Sequence, residues 1–125
     1  MSVLKRLSDT EFEVMKVVWT NEPPVTTNVI MQQLGNRRQW KAQTVISLMS
    51  RLVKKGYLRT EKKGKERTYF PVIEKEAYLE VETSSFLKLY HGDSFVSLVT
   101  ALYGGKHLSD EDIKELLSWV KERKE

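Results

Sequence analysis

Apolar residues recur at helical spacing through residues 40–56, WKAQTVISLMSRLVKKG. Val45, Leu48, Met49 and Leu52 fall at i, i+3, i+4 and i+7 and form one stripe. Gln43, Thr44, Ser47, Arg51 and Lys54 are left to the opposite side, and Gly56 is a natural left-handed stop. Upstream, the pattern predicts a first helix with Phe12, Met15, Val18 and Trp19 inside. Ser8 and Glu11 form its capping box, and Leu7 staples against Phe12. Pro23 and Pro24 forbid its continuation. A shorter helix follows, capped by Thr26 or Thr27 and apolar at Val29, Ile30 and Leu34, and ended by Gly35 and the polar residues 36–39.

Downstream of Gly56, residues 57–62 and 67–72 read as two strands around Lys63, Gly64 and Lys65, and Pro71 marks the second as an edge. After Ile73 the pattern is helical only. Residues 74–90 form one long candidate helix. A short one follows with Phe95, Leu98, Val99 and Leu102 in register, and a last one carries Ile113, Leu116, Leu117 and Val120. Ser109 caps that last helix, with acids in its first turn and Lys121, Arg123 and Lys124 near its end, as the helix dipole prefers. The order predicts a mainly α, α+β chain: a winged helix-turn-helix with a small hairpin wing in residues 1–73, then three helices in residues 74–125.

Charge divides the 125 residues in the same place. Residues 1–73 carry 14 Lys+Arg against 6 Asp+Glu, net +8, whereas residues 74–125 carry 7 against 11, net −4. The first part is suited to a polyanion and the second is not. Three helices in about 50 residues make too small a core to stand alone, so their apolar faces call for a second copy of the chain. Phe86, Phe95, Leu98, Val99, Leu102, Ile113, Leu116, Leu117 and Val120 are the candidate dimerisation residues. With no cysteine there is no disulfide framework, thiolate metal site or cysteine nucleophile. No apolar run is long enough to span a bilayer, and the first residues lack the apolar centre of a signal peptide, so a cytoplasmic protein is expected.

Amides, hydroxyls and guanidinium groups on one helix face are the chemistry that reads base edges and grips phosphates. Gln43, Thr44, Ile46 and Ser47 are therefore the candidate base readers. Arg37, Arg38, Lys41, Arg51, Lys54, Lys62, Lys63, Lys65 and Arg67 are the candidate phosphate and wing contacts. A solvated helix face and a hairpin tip kept soluble by lysine explain each feature singly. Neither explains why they coincide with three compact helices and a basic half. Trp40 reads as a packing residue that locks the turn onto the third helix. His91 and His107 lack metal-ligand spacing, and Asp110, Glu111 and Asp112 are accounted for by the helix dipole, so no metal, cofactor or catalytic role is expected. Two other readings remain open: a winged-helix regulator answering a different signal, and a winged-helix protein-interaction module that binds no DNA.

Several segments together resemble the BlaI/MecI family of penicillinase repressors: LSDTEFEVMKVVW (7–19), WKAQTVISLMSRLVKKGYL (40–58), RTYFPV (67–72), FVSLVTAL (95–102) and LSDEDIKELLSWV (108–120). The resemblance implies a dimeric repressor on a dyad-symmetric, double-stranded DNA operator ahead of β-lactam resistance genes. It also implies that the third helix lies in the major groove, with Gln43 and Thr44 at base-reading positions. Ile46 stands where some members carry arginine, so contact with a thymine methyl replaces a polar contact, or that contact is lost. The family is relieved when a membrane sensor with a cytoplasmic zinc protease domain leads to cleavage in the dimerisation region, here near Ala101 and Leu102.

Overall fold

The computed structural model describes residues 4–124. The chain divides into two compact units, one ending at Glu82 and the other beginning at Thr83.

In the first unit, α1 (Asp9–Thr20) starts at the expected capping box. The Ser8 hydroxyl accepts from the Glu11 amide, and the Glu11 carboxylate accepts from the Ser8 amide at 2.8 Å. Its buried face is Glu11, Val14, Met15 and Val18; Phe12 and Trp19, expected inside, are half-buried against the core. The Thr26 side chain caps α2 (Thr27–Ile30). This short helix runs directly into one π-helical turn, Met31–Gly35, closed by the Asn36 amide donating to the Met31 carbonyl at 2.8 Å. At Gly35 a Cβ would stand 2.6 Å from Met31 Sδ, the end of a flexible side chain, and 3.4 Å from Val45 Cγ2.

Helix α3 (Ala42–Lys54) buries Val45, Leu48, Met49 and Leu52, the predicted stripe. Gly56, at φ +87°, turns the chain into β1 (Leu58–Lys63), which pairs antiparallel with β2 (Glu66–Pro71) from Leu58 opposite Pro71 to Lys63 opposite Glu66. The hairpin turn is therefore Gly64 and Lys65 alone, with Gly64 at the positive φ a two-residue loop requires. β2 is not a free edge along its whole length. Tyr69 exchanges two backbone hydrogen bonds with Val25, at 2.8 and 2.9 Å. Pro71 lies two residues on and points its nitrogen to that same outer side, so its missing N–H takes nothing from the pairing with β1.

Helix α4 (Lys75–His91) begins inside the first unit. Tyr78 is buried among Phe12, Trp19 and Tyr57, with ring centroids 5.7 to 6.2 Å away, and its hydroxyl accepts from the Leu7 amide at 3.3 Å. Arg6 meets Glu82 at 2.9 Å. These contacts carry the first unit beyond residue 73, where the sequence pattern places the boundary.

The second unit holds the rest of α4, then α5 (Phe95–Gly104), capped by Ser94, and α6 (Asp110–Arg123), capped by Ser109 with Asp112 closing a second capping box. Neither α5 nor α6 contains a buried residue.

Candidate nucleic-acid interface

Burial of Val45, Leu48, Met49 and Leu52 fixes the rotation of α3, because each residue advances about 100° around the axis. Gln43, Ser47, Ser50 and Lys54 then run along the outward centre line. Ile46 lies on the flank toward the hairpin, and Thr44 and Arg51 on the flank toward α1. All seven are exposed. Sequence reasoning missed Ser50, although extending the same wheel by three residues from Ser47 finds it.

On the hairpin side, Ile46, Ser50 and Lys54 share a groove of about 670 Å³ with Thr60, Lys65 and Arg67 of the wing. On the other side, Thr44, Ser47 and Arg51 share a smaller concavity of about 330 Å³ with Thr10 and Trp40. The structure thus brings the predicted base-reading residues together on one helix with a cationic hairpin beside it.

The predicted phosphate residues divide by what holds them. Arg37, Lys41, Arg51, Lys54, Lys62, Lys63 and Lys65 are exposed and form no ion pair among the described residues. Arg67 lies within 3.4 Å of the Thr60 hydroxyl. Arg38 is also exposed, but its guanidinium lies 3.1 Å from Glu13 and 5.5 Å from the Trp40 ring centre. Lys41 caps α3 without a side-chain bond, leaving the first amides of the helix open to an outside acceptor.

Behind this surface lies a part-buried ionic contact. Lys55 Nζ meets Glu11 Oε1 at 2.5 Å and also donates to the Arg6 carbonyl. Burial pushes the Glu11 carboxyl up, but hydrogen bonds from Lys55 and Ser8 outweigh it and leave the group below its ordinary value. The Tyr57 hydroxyl donates to the Lys5 carbonyl, and burial raises that phenol to about 12. The link ties the segment before α1 to the exit of α3, so the C-terminal end of that helix is held.

The dimerisation candidates all lie in the second unit. Phe86, Phe95, Leu102 and Leu117 are exposed, and Leu98, Val99, Ile113, Leu116 and Val120 half-buried. The pattern omitted other large apolar residues that are more open, including Val96 at 73%, Leu89 at 70% and Tyr90 at 63%. Ala101 and Leu102 are exposed within α5. His91 Nδ1 lies 2.9 Å from the Ser97 hydroxyl. Among the described residues no three His, Asp or Glu side chains gather as metal ligands, and no helix is long and apolar enough to cross a membrane.

The family model for the penicillinase repressor matches residues 7–122. The chain is 34% identical over 124 residues to the penicillinase repressor of Bacillus licheniformis, covering 99% of this chain and 96% of that protein. It is 30% identical over 111 residues to the methicillin resistance regulatory protein MecI of Staphylococcus aureus strain N315, covering 88% and 89%. Among solved structures, the DNA-binding domain of the repressor BlaI matches with a TM-score of 0.55 at 35% identity, over 66% of this chain and 99% of that one. Monomeric B. licheniformis BlaI in complex with the blaP half-operator matches with a TM-score of 0.51 at 35% identity, over 62% and 94%. The chain is a winged-helix, DNA-binding transcriptional repressor rather than an enzyme, and it belongs to the penicillinase repressor family.

Proposed function

We propose that this repressor acts in the cytoplasm as a homodimer, each copy laying α3 into the major groove of one half of a dyad-symmetric operator ahead of β-lactam resistance genes. The observation that carries this is the outward face of α3, where Gln43, Thr44, Ser47 and Ser50 stand exposed above a fully buried stripe. Gln43 pairs with adenine through its amide, the hydroxyls contact either strand, and Ile46, 41% exposed, meets a thymine methyl. Lys54 and the wing lysines lie beside phosphates and supply affinity without sequence preference.

The homodimer reading is supported by the second unit, whose apolar side chains stay uncovered within one chain. Joining two reading helices makes the second half-site contact intramolecular, which raises affinity for a properly spaced palindrome. Relief by a membrane sensor with a protease domain is assigned to the bond between Ala101 and Leu102. That bond lies in α5, where neither residue is buried within one chain. Mass spectrometry of repressor from cells treated with a β-lactam then finds one fragment ending at Ala101 and another starting at Leu102; intact repressor in derepressed cells overturns this assignment.

The central test is fluorescence anisotropy with a palindrome selected from genomic fragments and with a scrambled duplex, across a salt series. The palindrome should bind on the order of 10³ times more tightly, with affinity falling steeply as salt rises. Equal, weak binding of both duplexes overturns the operator reading.

A further inference from the structure

The wing side of α3 carries cations in plenty, whereas its opposite flank carries Arg51 and a group of neutral donors. A helix in a major groove roughly 12 Å wide has a phosphate backbone along each side, so each flank must meet one strand. The flank toward α1 is a concavity of about 330 Å³ lined by Thr10, Trp40, Thr44, Ser47, Leu48 and Arg51. No carboxylate lines it. Leu48 forms an apolar floor, and every other lining side chain can donate a hydrogen bond.

Trp40 is the informative member. The other indole in the first unit, that of Trp19, donates to the Ile73 carbonyl at 2.9 Å. The Trp40 N–H has no acceptor among the described residues, although its ring packs against the core and beneath Arg38. Packing holds the ring, and the donor opens to the surface, where an outside acceptor can reach it. Thr10, on the first turn of α1, has only the Ser8 hydroxyl 3.3 Å away and can still donate outward.

We propose that this concavity is a seat for one DNA backbone phosphate, held by the Trp40 indole N–H, the Thr10 hydroxyl and the Arg51 guanidinium. The assignment rests on the reading of α3 as the groove helix and adds how the strand away from the wing is gripped. Two neutral donors and one cation give this contact its own signature. Removing a neutral donor weakens binding but releases no counterion, so the dependence of affinity on salt is unchanged, whereas removing Arg51 lowers the salt slope by about 0.9. The seat carries no base information, so operator and random duplex lose affinity together.

The test uses the full-length chain and the substitutions Trp40→Phe, which keeps an aromatic ring, Thr10→Val, which keeps the shape, and Arg51→Ala. Anisotropy titrations on operator and scrambled duplexes at several salt concentrations are paired with thermal melts that confirm each variant is folded. Trp40→Phe and Thr10→Val should each weaken both duplexes by about 5- to 20-fold with an unaltered salt slope. A methylphosphonate scan of the operator should then find one linkage per half-site at which Trp40→Phe costs nothing further. Folded variants that bind both duplexes as the unsubstituted chain does, or that lose affinity on the operator alone, overturn the seat while leaving the groove reading intact. Failure of the unsubstituted chain to bind either duplex overturns both.

Discussion

The two units are both helical and both rich in apolar side chains, yet among the described residues every buried one lies in the unit that ends at Glu82. There the stripes of α1, α2 and α3 converge with Tyr57, Leu58, Tyr69 and Tyr78 on one core. From Thr83 onward, Phe95, Val96, Tyr103, Leu117 and Trp119 are all more than half exposed. A chain of this length does not leave so much apolar surface wet without a use for it. The contrast shows that the first unit closes a core of its own, whereas the second leaves its large apolar side chains uncovered within one chain.

The sharpest way to break that comparison is to charge the uncovered face. Leu117 is 60% exposed, so Leu117→Asp in a chain that works alone costs within about half a kcal/mol. If a second copy covers it, the same change yields a monomer in sedimentation velocity and lowers operator affinity by about 10²- to 10⁴-fold, while half-site affinity is kept. A Leu117→Asp chain that sediments and binds as the unsubstituted one does removes the homodimer reading.

The complementary change strikes the first unit. Leu52 is fully buried in α3, and Leu52→Ala removes packing that nothing outside the chain supplies. A loss of about 2–5 kcal/mol in unfolding free energy is expected, independent of protein concentration. A concentration-dependent loss means that the core is not self-sufficient.

Sequence pattern was legible wherever one periodicity governed burial. The α3 stripe, the capping box at Ser8, the cap at Ser109 and the stop at Gly56 follow from local chemistry, and the structure has them where the spacing places them. What stayed hidden depends on partners distant in sequence. Tyr78 sits in a helix whose pattern gives no strong face, yet it is buried because three aromatic residues from α1 and the entry to β1 surround it. Glu11 reads as a capping residue alone, and only the fold brings Lys55 to it. Arg38 reads as a phosphate contact, and only the fold brings Glu13 to its guanidinium. Helix α5 ends at Gly104 with Gly105 as its cap, and the left-handed residue beyond is Lys106, at φ +61°.

Within the first unit, the reading face can be separated from the gripping face. Gln43→Ala should cost about 1–3 kcal/mol on the operator and relax preference at one position in each half-site. Lys54→Ala should weaken operator and scrambled duplexes alike and lower the salt slope by about 1. Equal losses on both duplexes for both substitutions refute this division of labour, and a selection experiment on randomised half-sites shows which holds.

The smallest effect expected is electrostatic, and it tests how the reading head is braced. The folded Glu11 carboxyl titrates below its unfolded value of 4.5, so folding favours its ionised form. That contribution is fully present above pH 4.5 and is lost as pH falls through the folded value. Glu11→Gln keeps an acceptor for the Ser8 amide and removes only the charge that meets Lys55. Lys55 is about a quarter exposed, which screens the contact, so a loss of about 1–2 kcal/mol at neutral pH is expected. The variant should also lose less stability than the unsubstituted chain on going from pH 5 to pH 3. Urea titrations at the two pH values read both effects. If the two proteins lose stability in parallel on acidification, Glu11 is only a capping residue, and the tie between the start of α1 and the exit of α3 contributes nothing to holding the head.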